Sequence, residues 1–379
     1  MLIGIDASRA NHAQKTGVEW YAWHIIEQLK TQNAKLKTGE SVQFVLYSDT
    51  PLTGSLGKLP ENWESRVLHW PPKRLWTQVR FSWEMFRNPP DILFIPAHVV
   101  PLIHPKKTVM MVHDIAALQF PHTYNWFERW YTLWSAKYAL KNLWKIITPS
   151  EFTKSELTKL SADSDKLSAI HVVHHGYDTR YKKIDDQNKI QDVLKKYNIT
   201  RPFFLSVGRL ETKKNTMNIV RAFTQYKINN KQLTINNQLI LIGQPGHGYD
   251  EVKEAIVESA YKQDIRLLGW VSPEDVVLIM NAANVFVFPS LYEGFGLPIL
   301  ESFACGTPVI AGSGSSLEEV GGDAALYVDP KSTHDITMAM QKIVSDESTR
   351  QALIKKGLER VNNFSWEKSA RETLDVLVM

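Results

Sequence analysis

The sequence predicts two doubly wound α/β units in tandem, Rossmann-like domains built on parallel sheets, and three observations carry that prediction. Short apolar runs of strand length alternate with amphipathic helical stretches along the whole chain. The runs are continuous in Val, Ile, Leu and Phe, which suits strands buried on both faces of a parallel sheet. The chain has 379 residues, enough for two domains that each bury a core of their own.

Taken in order, the strand candidates of the first half are "LIGID" (2–6), "QFVLYS" (43–48), "RVLHW" (66–70), "DILFIP" (91–96), "TVMMVHD" (108–114), "KIITPS" (145–150) and "AIHVVHHG" (169–176). Amphipathic stretches at 17–30, 73–86, 126–142 and 151–160 supply helices between them. The charged segment "YDTRYKKIDDQNK" (177–189) reads as the link between a domain of residues 1–180 and one of 181–363. The second half repeats the alternation with "FFLSVG" (203–208), "QLILIG" (238–243), "IRLLG" (265–269), "VFVFPS" (285–290), "TPVIAG" (307–312) and "ALYVD" (325–329). Crossovers between parallel strands are right-handed, and ligands of such sheets bind beyond the strands' carboxyl ends. The loops after the strands are therefore where a site belongs.

Composition narrows the class. With 44% apolar and 22% charged residues the chain is an ordinary globular sequence, and a net charge of +4 is too small to imply a nucleic-acid groove. The single cysteine, Cys305, excludes an internal disulfide and fits a reducing, cytoplasmic compartment. The N-terminal run ends at Asp6 and reads as a strand, and 92–105 is too short and proline-rich to cross a bilayer. Most of the twelve tryptophans precede residue 150. Trp126, Trp130 and Trp134 recur every four residues beside Tyr138, on one helix face. A core-packing stripe is the expectation. The alternative is an aromatic surface, aided by Lys137, Lys141 and Lys145, that meets a sugar chain or a membrane interface.

Four loops carry chemistry. In "YEGFGLPILE" (292–301), Pro298 suits the first turn of a helix and Gly306 its end, so Glu293 falls in the turn and Glu301 about one turn into the helix. Gly294 and Gly296 allow close backbone approach and offer amides at a positive helix end. Carboxylates accept paired hydrogen bonds, so Glu301 and Glu293 each match a diol. The spacing alone is equally met by a helix-start glutamate and a solvated one. In "GRLETKKN" (208–215), Arg209 and Lys214 precede a helix that Asn215 is placed to cap, a cradle for a diphosphate. By itself this loop is as readily a solvated basic turn. Gly17 stands before the helix of "QKTGVEWYAWHII", where on its own it is a plain loop glycine. His113 and Asp114 end the strand of "MVHDIAALQFP". His113 alone would be a structural histidine, and in a site it would donate to a sugar hydroxyl with Asp114 orienting its ring. No spacing of metal ligands is apparent.

Together these loops resemble the retaining glycosyltransferases of family four. The likeness rests on Glu293 and Glu301 as a Glu-x7-Glu motif, "GRLETKKN", "TGVEWY" (16–21), "VHD" (112–114), "TPSEFTKSEL" (148–157) and "LGWVSPEDV" (268–276). It runs nearly end to end and includes "FSWEKSARETL" (364–374). It implies the GT-B fold, two facing Rossmann-like domains with a C-terminal helix, 364–379, that crosses back to the first. It further implies catalytic roles for Glu293, His113, Arg209 and Lys214, with His113 contacting the sugar near its reacting carbon. Donor contacts would come from Gly17, Arg209, Lys214, Gly294, Phe295, Gly296, Leu297 and Glu301, with the base at Leu268, Gly269, Trp270 and Val271. Ser150 matches a family position but reads as a helix cap. No cofactor or metal is expected, since two side-chain cations take the place of one. The donor would be a GDP- or UDP-linked hexose and the acceptor a glycan or a lipid-linked acceptor, with peripheral contact at the inner membrane face. Within the family the chain is most like bacterial mannosyltransferases of surface-polysaccharide assembly. An inactive nucleotide-sugar-binding partner protein and a GT-B-fold sugar-nucleotide epimerase are the competing expectations.

Overall fold

A computed structural model describes residues 1–32, 42–71, 75–97, 99–120, 126–160, 168–230 and 237–379. The chain forms two compact units, Met1–Gly176 with Ser365–Met379, and Tyr177–Phe364.

Unit 1 is built on seven parallel strands: β1 (Leu2–Asp6), β2 (Gln43–Ser48), β3 (Trp63–Val67), β4 (Ile92–Ile95), β5 (Thr108–Met111), β6 (Lys145–Thr148) and β7 (Ile170–Val172). Their order is β3-β2-β1-β4-β5-β6-β7. Unit 2 has six: β8 (Phe203–Val207), β9 (Gln238–Ile242), β10 (Ile265–Gly269), β11 (Val285–Phe288), β12 (Val309–Gly312) and β13 (Ala325–Val328). Their order is β10-β9-β8-β11-β12-β13, again parallel throughout. All thirteen strand candidates correspond to strands. The third is displaced, because β3 is an edge strand whose outward Glu64 and Ser65 dilute the apolar run while Trp63 stacks on Phe44 with ring centroids 4.3 Å apart.

The continuous apolar runs are explained by their neighbours. On β8, Phe203 and Leu205 join the core under the helices Gln187–Lys196, Pro273–Ala282 and Leu297–Ala304, while Phe204 joins the core under Thr216–Asn229 and Thr333–Ser345. Successive side chains enter opposite cores, so consecutive positions such as Phe203, Phe204 and Leu205 are apolar. Each such phenylalanine contributes roughly 2–3 kcal/mol by leaving water.

The charged segment 177–189 belongs to unit 2 and is tied down rather than being an open link. Asn281 accepts from the Ile184 N–H (2.8 Å) and donates to the Lys182 carbonyl (3.0 Å), and Arg180 reaches Glu274 (3.2 Å). The units thus divide at Gly176, four residues before the boundary expected at 180. The C-terminal helix Trp366–Val378 belongs to unit 1, capped by Ser365, whose hydroxyl accepts from the Lys368 N–H (3.1 Å). Trp366 stacks on His24 of the helix Gly17–Gln32 (4.7 Å), and the buried Lys145 ammonium donates to the Val376 carbonyl (2.8 Å) at the negative end of the helix. The helix expected at 73–86 begins outside the described residues. From 77 it runs as a π-helical turn Thr77–Phe81 continued by Ser82–Arg87.

Candidate functional site

The strand order of unit 2 reverses between β8 and β11, so their carboxyl ends flank the crevice where such sheets bind ligands. The loop after β8 is "GRLETKKN" and the loop after β11 is "PSLYEGFG". Two of the four loops singled out in the sequence therefore meet at one switch point.

Lys214 and Glu293 join the two loops. The Lys214 Nζ lies 2.5 Å from Glu293 Oε1, in a setting where the two side chains are 21% and 11% exposed. Ser290 Oγ donates to the same oxygen (2.6 Å), and its neighbour Leu291 takes the Lys213 carbonyl through its N–H (2.9 Å). Ser316 Oγ donates to the carbonyls of Glu293 (2.8 Å) and Phe295 (2.9 Å), fixing the turn from below. Lys214 is thus held over Gly208, with the Phe288 ring 5.1 Å beneath it. Arg209 is far more exposed, at 67% of its side chain, and lies 3.6 Å from Glu211.

Two helices point their amino ends at this switch point, and neither end is capped by a side chain. Asn215 sits at the cap position of Thr216–Asn229 but in a left-handed conformation, φ 61°, with no capping bond. Its amide instead donates to the carbonyls of Pro289 (3.0 Å) and Pro330 (2.5 Å), cross-linking the ends of β11 and β13. The capping role expected for Asn215 is therefore corrected: it is a buried tie between loops. Gly296 opens Leu297–Ala304 at φ 112°, also without a capping bond, and Pro298 sits in the first turn. The first amides of a helix lack internal partners and face an anion favourably.

Glycine is required at Gly296. An added Cβ would lie 2.5 Å from Leu317 Cδ2, and the positive φ is strained for any other residue. Gly296→Ala is expected to lower the unfolding free energy by about 2–4 kcal/mol, as chemical denaturation would measure.

The second glutamate has different company. Glu301 lies in Leu297–Ala304, hydrogen-bonded by Tyr181 and near Asp178 and Arg180. Part of the residue reaches the surface, while protein packs closely around its carboxyl. Loss of solvation, with a further push from the Asp178 charge, raises its pKa to about 7 against the opposing effects of Arg180 and Tyr181. The two glutamates are thus held by separate parts of unit 2. Tyr181 and Asp178 were not legible as site residues, since nothing in a charged connecting segment marks them.

The remaining candidates vary. Trp270 is 71% exposed after β10, whereas Val271 is buried in the core, so only the backbone of Val271 can face a ligand. Phe295 is likewise a core residue, its carbonyl bonded by Ser316, and Leu297 is the first residue of the helix Leu297–Ala304. In unit 1, Gly17 is the exposed first residue of its helix, with open space where a Cβ would be. The helix start is fixed by Glu19, whose carboxylate accepts the Thr16 N–H (3.0 Å) and hydroxyl. His113 Nε2 donates to the Pro96 carbonyl (3.0 Å), and its ring packs on Tyr21 (4.7 Å). Asp114 Oδ1 accepts the Ala116 N–H (3.1 Å), so it caps a turn, and Pro96 sets the His113 ring. Ser150 caps Glu151–Thr158 by accepting the Thr153 N–H (3.0 Å), as expected.

Known proteins resemble both halves. Residues 16–181 match the family model described as Glycosyltransferase Family 4, and residues 186–360 the one described as Glycosyl transferases group 1. The O-antigen chain mannosyltransferase B of Escherichia coli is 29% identical over 313 residues, which cover 82% of this chain and 78% of that protein. The sucrose-phosphate synthase of Thermosynechococcus elongatus superposes with a TM-score of 0.74 at 20% identity, covering 99% of this chain and 98% of that one. Anabaena HepE, solved in complex with UDP and glucose, gives 0.72 at 15% identity over 100% and 99%. At these identities the two structures speak to the fold.

Proposed function

We propose that this chain, which belongs to glycosyltransferase family four and has the GT-B fold, moves a hexose, mannose first, from a nucleoside-diphosphate sugar to a glycan or lipid-linked acceptor of a cell-surface polysaccharide. The observation that carries this reading is the Lys214–Glu293 pair at the switch point of unit 2, between two uncapped helix ends. A nucleotide-linked donor is supported by that chemistry and by the ligands of Anabaena HepE. The buried, free Cys305 fits a cytoplasmic protein, and among the described residues no helix is long and apolar enough to cross a membrane.

The reaction breaks the bond between the sugar's anomeric carbon and the diphosphate oxygen, and the electron pair leaves with the diphosphate. Lys214, Arg209 and the amides opening Thr216–Asn229 and Leu297–Ala304 stabilise that growing charge in place before it forms. The acceptor oxygen bonds to the anomeric carbon on the face the diphosphate leaves, and its proton passes to a donor phosphate oxygen, which retains configuration. Glu293 is no nucleophile in this scheme. It neutralises Lys214 in the empty site and takes sugar hydroxyls when the diphosphate draws Lys214 away. Glu301 holds the ribose diol, and Trp270 with the backbone of Val271 flanks the base.

A thermal-shift screen with GDP-, UDP- and ADP-sugars tests the donor, because a ligand of the folded state raises its melting temperature. Sugar transfer to acceptor should then persist in excess EDTA, since fixed cations carry the leaving-group charge. Loss of turnover on chelation, restored by a divalent ion, would overturn the metal-free scheme. Turnover of donor without any acceptor product would favour the epimerase, and binding without turnover the inactive partner.

A further inference from the structure

We infer that Glu211 is a positioning residue for the donor diphosphate, holding Arg209 at its Nε and leaving the terminal guanidinium nitrogens to the phosphates. The inference rests on the diphosphate lying at Arg209, as proposed for this site. Past the ends of β8 and β9 the two following loops stay paired. The Gly208 N–H donates to the Ile242 carbonyl and the Leu210 N–H to the Gln244 carbonyl, each at 2.9 Å. The Gly246 N–H donates to the Leu210 carbonyl and the Thr212 N–H to the His247 carbonyl, again at 2.9 Å. Backbone on both sides of Glu211 is therefore fixed, and Leu210 is buried beside it. The Glu211 side chain is only 14% exposed, against 67% for Arg209, with 3.6 Å between Oε2 and Nε. A long, solvated side chain spreads over several rotamers unless a partner restrains it. The carboxylate is the anchored member of this pair, and the guanidinium the adjustable one.

Gly246 makes the room for this arrangement. A Cβ added there would lie 2.6 Å from both the Cβ and Oε2 of Glu211, and 3.4 Å from Arg209 Nε. Any side chain at 246 would push the carboxylate out of the gap beside Arg209. Charge makes the same point. A carboxylate in a loop that receives an anion opposes that ligand, and an ion pair this open to solvent adds little stability. Glu211 offsets its own repulsion only by acting through the cation next to it. Lys214 has Glu293 in the same way, so each of these two cations is held by a carboxylate of its own. A planar guanidinium restrained at one edge presents its other nitrogens in a fixed fork, which matches paired phosphate oxygens.

Calorimetric titration of the full chain with GDP, UDP and ADP tests this. Glu211→Gln keeps the shape and removes the charge, and it should weaken binding of the nucleotide the parent takes about fivefold. The melting temperature of the free chain should not change, and Gly246→Ala should weaken binding likewise. Arg209→Ala should weaken it more than either. The deciding variants are double ones. In an Arg209→Ala background Glu211→Gln should change the dissociation constant less than about twofold, whereas in a Lys214→Ala background it should keep its effect. A purely structural contribution would persist in both. Unchanged or tighter binding by Glu211→Gln, or its full effect without Arg209, would overturn the inference. Arg209→Ala weakened while Glu211→Gln stays parent-like would overturn this inference alone. Parent-like binding by Arg209→Ala would take the diphosphate away from Arg209, and a parent that binds none of the three nucleotides would end the donor reading; either removes the inference with it.

Discussion

Replacing Lys214 with alanine is expected to lower kcat/KM for the donor about 10²–10³-fold, the loss typical of removing one preorganised group aimed at developing negative charge. Lys214 is less exposed than Arg209 in the same loop, and it is fixed by Glu293 and backed by the Phe288 ring. Arg209, more solvated and only loosely paired with Glu211 at 3.6 Å, should cost less when removed. Lys214→Arg should recover part of the loss, because it keeps the charge but not the geometry. Alanine also leaves the Glu293 carboxylate without its ion-pair partner, which lowers stability, so kinetics must be taken where both proteins remain folded. Steady-state rates over a range of donor concentration separate a binding loss from a turnover loss.

The second large effect concerns pH. Glu301 titrates near 7 in the folded chain, against an ordinary value of 4.5. Between those values the folded state holds a proton that the unfolded state has lost. Its contribution to stability is fully present below about 4.5 and disappears as pH rises through about 7, a loss of at most about 3 kcal/mol. Glu301→Gln removes the titration. The variant should therefore melt higher than the parent at pH 8, with the difference shrinking toward pH 5. At pH 8 it should also bind nucleotide sugar about tenfold more weakly, because a neutral amide replaces an ionised acceptor for the ribose hydroxyls. Paired melting curves across this range provide the check, and the comparison cancels every other titrating group. A variant no more stable than the parent at pH 8 would show that the Glu301 carboxyl is adequately solvated.

Strands and their order of appearance were legible because burial on both faces leaves a continuous apolar signature, as Phe203, Phe204 and Leu205 illustrate by entering opposite cores. The loops were legible because cations, paired glutamates and glycines stand directly after strands 203–207 and 285–288. What escaped was anything set by the third dimension. Asn215 has the chemistry of a cap, yet a left-handed backbone turns its amide toward two proline carbonyls. Ser290 and Ser316 look like ordinary loop serines until they are seen holding the glutamate turn. Val271 and Trp270 are adjacent in sequence but face core and solvent respectively. A helical spacing of four placed the tryptophans on one face without saying whether that face points inward. Pairing of Tyr181 with Glu301 depends on how the charged segment folds back onto unit 2, which periodicity does not encode.

The central claim is that Lys214 exchanges its carboxylate for a diphosphate. A crystal structure with a nucleoside-diphosphate sugar bound tests it most directly. The account predicts the diphosphate within hydrogen-bond distance of Lys214 Nζ and of the amides opening Thr216–Asn229 or Leu297–Ala304, with the Lys214–Glu293 contact of 2.5 Å opened. A bound donor that leaves that ion pair closed, its phosphates away from both helix ends, would contradict it.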